Sequence, residues 1–354
     1  MARSLLDRFY KVFSNDIGID LGTANTLVYV EGVGIVINEP SVVAINQKTG
    51  QVVAVGQAAK DMLGRTPGHI QAVRPIVDGV ISDFEITEEM LSYLIRKAEE
   101  GRKKWLGPRI VVGVPSGITN VERRAVKDAA KSAGARDVYI VEEPVAGAVG
   151  IGLPIHDPVG TMVVDIGGGT TDVAIISLGG IVHSKNIKIA GDKLNSDIIS
   201  YLRNEFKILI GEKTAEEIKI TIGNVGKSTE SLEMPVRGRD LITGLPREVI
   251  VTDSDIKEAI GLSIDTLIES IKSIIEITPP EVVSDIMYRG IYIFGGGALL
   301  KGFRDLLEES LKIPIHIAED PLTSVVRGTG VMLKNIDHFS DALIKNDDEL
   351  PFTN

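Results

Sequence analysis

The chain has 354 residues, 44% of them hydrophobic, which suffices for two domains with sizeable cores at about 100–200 residues each. Its formal net charge of −11 argues against nonspecific nucleic-acid binding, and the lack of cysteine excludes disulfides, thiolate metal sites and cysteine nucleophiles. His69, His156, His183, His316 and His338 lack zinc-ligand spacing, no apolar run reaches the ~20 residues that span a bilayer, and Asp7, Arg8 and Lys11 interrupt any secretory segment, so a cytosolic protein is expected.

Residues 2–13 are predicted as a short helix with Leu5, Leu6, Phe9, Val12 and Phe13 on one face and Arg3, Asp7, Arg8 and Lys11 elsewhere. Such a helix either docks on its own core or lies in a membrane surface, and its composition fits both. Next comes Ile17-Gly-Ile-Asp20-Leu-Gly22-Thr23-Ala24-Asn25-Thr26-Leu-Val-Tyr-Val30, which reads as strand, glycine turn, polar cluster and return strand. Gly32 and Gly34 continue it into a hairpin. Ser41–Ile45 and Gln51–Val55 are predicted strands around a turn at Lys48-Thr49-Gly50, and Ala58–Leu63 a short helix, making 38–74 a small insertion. Thr87–Ala98 has helical amphipathic spacing. The loop Gly101-Arg-Lys-Lys-Trp105-Leu106-Gly-Pro108 puts the only tryptophan beside cations. That suits a membrane interface, and equally a Trp105 folded back over a core.

Arg109–Val114 is a buried strand leading through Pro115-Ser116-Gly117 to a helix over 119–132, where Thr119 and Glu122 form a capping box and Gly134 a stop. Val138–Val141 is the next strand, and Pro144 starts a helix after it. Glu143 thus stands at a strand end, either a surface carboxylate or one aimed at the crevice where α/β sheets bind ligands.

The first hairpin recurs at Thr161-Met-Val-Val-Asp165-Ile-Gly167-Gly168-Gly169-Thr170-Thr171-Asp172-Val-Ala-Ile-Ile176, followed by Gly179 and Gly180. Asp165 matches Asp20, Gly167 matches Gly22 and Thr171 matches Thr26. Glycine turns free backbone N–H groups to grip phosphate oxygens, and a strand-end Asp suits a metal-bound water. One such hairpin is an ordinary turn signal. Two of them, a domain apart, predict a duplicated fold with a nucleotide clamped between the halves.

Further on, helices are expected at 192–206 and from Thr214, with Thr214 and Glu217 as a capping box. Strands are expected within 231–252, then a long helix to about Glu276 capped by Thr252 or Asp253. Gly290–Phe294 reads as a strand turning through Gly295-Gly296-Gly297 into a helix over 298–311, whose N-terminus favours an anion. Pro321–Asn335 is a final helix and 337–354 a mobile polar tail. Gly226-Lys227-Ser228 lacks the strand-loop-helix setting of a phosphate-binding Walker A loop, and Gly295-Gly296-Gly297 lacks the rest of a dinucleotide fingerprint.

The order of motifs is phosphate hairpin, Val112-Gly-Val-Pro-Ser-Gly117, Glu142-Glu143-Pro144, second hairpin and Gly295-Gly-Gly-Ala-Leu299. It resembles the superfamily of actin, sugar kinases and DnaK-type chaperone ATPases. Within it, Asp20-Leu-Gly-Thr-Ala-Asn-Thr26, Gly117-Ile-Thr-Asn-Val-Glu-Arg-Arg-Ala125, Ile140-Val-Glu-Glu-Pro144 and Asp165-Ile-Gly-Gly-Gly-Thr-Thr171 are similar to the MreB family of bacterial actins. The likeness covers residues 14–336 and stops short of the peptide-binding domain that follows the ATPase part of a DnaK-type chaperone.

The resemblance implies an α/β actin-like ATPase fold, with two duplicated RNase H-like domains flanking a nucleotide cleft and each bearing an inserted subdomain. On that plan 1–14 is an amphipathic membrane-binding helix and 15–155 is domain I, with its insertion at about 38–74. Domain II is 156–320, with an insertion at about 193–253; 321–336 is a crossing helix returning to domain I, and 337–354 is a tail. It further implies ATP and Mg2+ as ligands. Gly22, Thr23, Ala24 and Asn25 would form the first phosphate loop, and Gly167, Gly168, Gly169 and Thr170 the second. Asp20 and Asp165 would hold magnesium, mostly through water, with Asp172 a second acid nearby. Glu143 and Thr170 would position the attacking water, Glu216 and Lys219 would meet ribose and adenine, and Gly295, Gly296, Gly297 and Ala298 would line the adenosine pocket. Leu5, Leu6, Phe9, Phe13, Trp105 and Leu106 would anchor the chain on the anionic inner face of the cytoplasmic membrane. Val121 would meet a neighbouring strand of paired protofilaments. The partners implied are further copies of the chain and the membrane proteins of cell-wall synthesis and shape determination, with no nucleic acid; the function implied is filament formation that sets rod cell shape. A monomeric chaperone-type or sugar-kinase-type ATPase is the alternative within the same superfamily.

Overall fold

The structure is a computed structural model that describes residues 15–101, 106–227 and 231–344. The helix expected at 2–13, with Leu5, Leu6, Phe9 and Phe13, lies outside the described residues, as does Trp105. The described chain groups into two units: one holds residues up to 158, 176–182 and 322 onward, the other 159–175 and 183–321.

In the first unit, β1 (Ile17–Leu21), β2 (Asn25–Val30) and β3 (Gly34–Pro40) form an antiparallel meander. The small insertion is a sheet of β4 (Val43–Asn46), β5 (Val52–Val55) and, after helix α1 (Gln57–Met62), β6 (Ile70–Val73), in the order β5-β4-β6. A short hairpin, β7 (Ile76–Val77) and β8 (Val80–Ile81), leads to α2 (Phe84–Ala98). This helix starts three residues before the apolar periodicity because the Asp83 carboxylate accepts from the Ile86 N–H. Then come β9 (Arg109–Val114), α3 (Asn120–Ser132), β10 (Asp137–Glu142) and α4 (Glu143–Gly150). The expected capping box of Thr119 and Glu122 opens α3.

The main sheet runs β10-β9-β1-β2-β3, with β10, β9 and β1 parallel. Its core is Ile17, Ile19, Val28, Val30, Ile110, Val112 and Ile140, packed with Leu91, Leu94 and Val126 of the helices. Each such side chain contributes about 1.5–3 kcal/mol when fully buried. Arg109 donates from Nε and Nη2 to Asp16 Oδ2 at 2.8 and 2.5 Å, fixing the starts of β1 and β9 beside each other.

The second unit repeats the plan. It contains β11 (Thr161–Ile166), β12 (Thr171–Ser177), β13 (Gly180–Ile187), α5 (Gly191–Glu205), β14 (Ile208–Leu209), α6 (Glu212–Ile222), β15 (Glu233–Asp240), β16 (Pro246–Thr252), α7 (Asp253–Ile277), α8 (Pro280–Arg289), β17 (Ile291–Phe294), α9 (Phe303–Leu311) and β18 (Ile315–Ile317). The sheet order β18-β17-β11-β12-β13 mirrors that of the first unit, with β11, β17 and β18 parallel. A second small sheet, β14-β15-β16, is this unit's insertion. The last helix, α10 (Ser324–Lys334), packs in the first unit on α4, β1 and β9. Its approach to α4 is backbone to backbone: a Cβ on Gly150 or Gly328 would overlap the carbonyl of Ser324 or Ala146.

Three expectations are corrected. Thr214 is not a helix cap, because α6 begins two residues earlier, at Glu212, after an extended Gly211. The helix expected over 298–311 is broken: Gly296–Leu299 is a single 3-10 turn, Leu300 is extended, and Gly302 at φ +75° starts α9. The described part of the tail, 337–344, is docked. Phe339 and Leu343 are buried, and Ile344 exchanges backbone hydrogen bonds with Ile140 at 2.9 and 3.2 Å.

Candidate nucleotide site

Strand β1 is apolar and buried at Ile17, Ile19 and Leu21, and it carries Asp20 to its end, opposite Leu27 of β2 and Gly113 of β9. The turn after it closes on itself, because a Cβ on Gly22 would lie 2.7 Å from the Asn25 carbonyl oxygen. Ser41 then locks the turn: its hydroxyl donates to the Gly22 carbonyl at 2.6 Å and lies 2.9 Å from the Thr26 hydroxyl. Thr23 accepts from the Gly79 N–H at 3.0 Å. Ala24 and Asn25 are exposed at the tip.

Glu143 is the first residue of α4, 8% exposed, with its Cγ 3.7 Å from where a Cβ on Gly113 would be. Asp20 and Glu143 therefore both stand beside Gly113. Burial pushes the Asp20 carboxyl up to about 7. A carboxylate held at that cost suits a bound cation, which offsets the desolvation of the charged form.

In the second unit, β11 is buried throughout and delivers Asp165 in the same way. A Cβ on Gly167 would lie 3.1 Å from the Thr170 carbonyl oxygen, and the Gly167 N–H donates to that oxygen at 2.9 Å. The loop is locked here by backbone: the N–H groups of Gly191 and Asp192, opening α5, donate to the carbonyls of Gly167 and Gly168 at 3.2 and 2.8 Å. Thr171 donates to the Ile189 carbonyl at 2.6 Å, and Asn186 Nδ2 donates to both oxygens of Asp172 at 3.1 and 3.0 Å.

Lys219 donates to the Gly191 carbonyl at 3.0 Å and to Glu216 Oε2 at 2.8 Å, and Asn195 Nδ2 donates to the same oxygen at 2.6 Å. The turn at Gly295 passes over the end of β11, leaving no room for a Cβ between Gly295 and Asp165 or between Gly297 and Ile166. Gly295, at φ +81°, uses a conformation that only glycine adopts freely. Thus Asp165, Gly167, Gly168, Thr170, Glu216, Lys219, Gly295 and Gly297 are joined by contacts within this unit.

Sequence reasoning missed Ser41, Gly79, Gly191 and Asn195. Each enters through a contact 14 or more residues away, so no local spacing announces it. Neither loop contains Lys or Arg, and among the described residues no cluster of three or more His, Asp or Glu could enclose a metal. Asp20 in the first unit and Asp165 in the second are each a strand-end carboxylate of the kind a hard cation such as magnesium accepts beside waters and phosphate oxygens. Elsewhere, Val121 is 79% exposed on the first turn of α3, and Leu106 is half-buried ahead of β9.

The family model for the MreB/Mbl protein matches residues 14–341. The chain belongs to the MreB/Mbl family. It is 52% identical over 326 residues to the cell shape-determining protein Mbl of Bacillus cereus, covering 92% of this chain and 98% of that protein. It is 50% identical over 337 residues to the cell shape-determining protein MreB of Escherichia coli strain K12, covering 94% and 97%. Among solved structures, MreB5 of Spiroplasma citri bound to AMPPNP superposes with a TM-score of 0.86 at 41% identity, over 92% of this chain and 97% of that one. The MreB/Mbl fold is that of actin-like ATPases, and the mirrored sheets described above are its two halves.

Proposed function

We propose that this chain is an actin-like cytoskeletal ATPase that binds ATP with Mg2+, polymerises into filaments and determines cell shape by organising wall synthesis. Relatives at about half identity are cell shape-determining proteins, and the similar MreB5 binds an ATP analogue. The observation that carries the reading is the connected cluster of the second unit: a glycine loop, a strand-end Asp165, the Lys219–Glu216 pair and a glycine turn over the same strand end.

Gly22–Asn25 and Gly168–Thr170 would offer N–H groups to phosphate oxygens, and Asp20 and Asp165 would hold magnesium, mostly through water. Magnesium, when bound, neutralises phosphate charge, as phosphoryl transfer by positioning and electrostatics requires. Glu143 would orient the attacking water and accept its proton on a carboxylate oxygen, and Thr170 is the residue of the second loop assigned to positioning water. Lys219 and Glu216 bind ribose and adenine.

Filaments pair through Val121 and lie on the inner face of the membrane through Leu5, Leu6, Phe9, Phe13, Trp105 and Leu106. Single anchors bind weakly beside an acidic body, and a filament multiplies them. The test is sedimentation with ATP, with and without anionic liposomes, followed by microscopy. ATP-dependent pelleting into paired filaments is expected, with Val121→Glu giving single filaments. A chain that stays in the supernatant and hydrolyses ATP faster with added sugar is a monomeric kinase instead.

A further inference from the structure

Glu143 follows directly on β10, and β10 is the edge strand of the main sheet, paired with β9 on its inner side. An edge strand presents a row of backbone groups that its sheet does not bond, so its end is held less firmly than that of a central strand. The C-terminal part of the first unit supports this strand end at three points.

The first is a side chain. Val325, buried near the start of α10, has its Cγ1 2.9 Å from where a Cβ on Gly113 would lie, the same position that the Glu143 Cγ approaches to 3.7 Å. The second is backbone. A Cβ on Gly328 of α10 would overlap the carbonyl of Ala146, in the helix that Glu143 opens. The third comes after α10, where the chain turns back and reaches the open side of β10. There Ile344 donates its N–H to the Ile140 carbonyl at 2.9 Å and accepts from the Ile140 N–H at 3.2 Å. Phe339 and Leu343 anchor this return: both are buried, and the Leu343 N–H donates to the Phe339 carbonyl at 3.0 Å. Ile140 and Ala146 stand at equal distances in the chain before and after Glu143, and α10 and the segment that follows it grip one each.

Two hydrogen bonds near a chain end contribute little to global stability, because such a segment can open locally while the core stays folded. What they supply is position. A displacement of about 1 Å at a reacting group can cost on the order of 10²-fold in rate. We infer that the segment 335–344 is a positioning strap for ATP hydrolysis: bonded to Ile140 and anchored by Phe339 and Leu343, it holds the strand end from which Glu143 projects. The inference rests on the reading of Glu143 as the hydrolytic glutamate. It assigns the strap no contact with the nucleotide, so its loss is expected in the rate of the chemical step and not in affinity.

The experiment compares the full chain with Ile344→Pro, Ile344→Val, Leu343→Ala and Glu143→Ala. Single-turnover phosphate release, ATP affinity by calorimetry, melting temperature and ATP-dependent sedimentation are measured on each. Ile344→Pro removes the N–H that bonds to Ile140 and keeps an apolar side chain. It should release phosphate about 10–100-fold more slowly while binding ATP as the unmodified chain does. Leu343→Ala, which loosens the anchor, should also slow release. Ile344→Val, which keeps both backbone bonds, should release phosphate at the normal rate; slowing equal to that of Ile344→Pro would contradict a role for those bonds. Normal release from Ile344→Pro beside a slow Glu143→Ala overturns the strap alone. Normal release from Glu143→Ala removes the hydrolytic reading, and this inference with it. Rate, affinity and melting temperature falling together in Ile344→Pro and Leu343→Ala would make the segment merely structural. A loss of rate that follows a loss of sedimentation would make it an assembly element, and either result overturns the proposal. Should Ile344→Pro not fold, Leu343→Ala decides: a normal rate from it contradicts the proposal.

Discussion

The two phosphate hairpins are built alike and locked differently. In each, a strand-end Asp precedes a glycine packed on the carbonyl three residues on, and a buried threonine stands first or second in the return strand. In each, the segment after the third strand reaches back to the carbonyl of that glycine. The first loop is held there by a side chain, Ser41 Oγ on Gly22, and the second by the backbone N–H of Gly191 on Gly167. Their neighbours differ too: the first unit sets Glu143 and Asp20 both beside Gly113, and the second sets Lys219 and Glu216 beside its loop. On the proposed function the two copies of one scaffold divide the labour, one toward chemistry and the other toward holding the nucleoside.

That division can be broken at the residues that differ. The largest effect is expected at Glu143→Ala, where phosphate release in a single turnover should slow by about 10²–10⁴-fold with ATP affinity retained; equal losses in rate and affinity would erase the division. Lys219→Ala should do the reverse. A hydrogen bond to a charged group contributes about 1.5–3 kcal/mol, or about tenfold or more in affinity by calorimetry, with the rate at saturating ATP preserved.

The locking difference predicts smaller changes. Ser41→Ala deletes the side chain that, among the described residues, bridges Gly22 and Thr26. It should cost about 1 kcal/mol and lower the melting temperature by about 2–4 °C, whereas the second loop has no side chain on Gly167 whose deletion matches it.

The first loop can also be tested through pH, without a nucleotide. Asp20 titrates near 7 when folded against an ordinary value near 3.8. The unfolded chain therefore loses its proton first, so nucleotide-free stability should fall as pH rises from about 4 to about 7 and level off above. Differential scanning calorimetry across that range should show a weaker slope for Asp20→Asn; an unchanged slope would place the titration elsewhere.

The hairpins were legible in the sequence because their determinants are local: apolar strands, an Asp one residue before the turn and glycines at matching offsets. The same holds for the capping box of α3, where cap and partner are three residues apart, and for Thr252 as the cap of α7. What escaped depended on contacts between distant segments. Thr214 and Glu217 have capping-box spacing, yet the chain already turns helical at Glu212 after the extended Gly211. Gly302, packed so tightly on Gly226 that a Cβ would overlap it, interrupts what reads as one helix after Gly297. The polar run after Asp337 hides Phe339 and Leu343, four residues apart and buried together. Asn195 reaches Glu216 from a helix with no motif of its own.

Mg2+-dependent ATP binding that needs both Asp20 and Asp165 is the proposal to test first. Calorimetric titration of ATP, with and without Mg2+, into the unmodified chain, Asp20→Ala and Asp165→Ala tests it most directly. Each variant should lose about tenfold or more in affinity when Mg2+ is present, as expected for losing a charged ligand contact, and little when it is absent. Full Mg2+-dependent affinity in either variant would contradict the account.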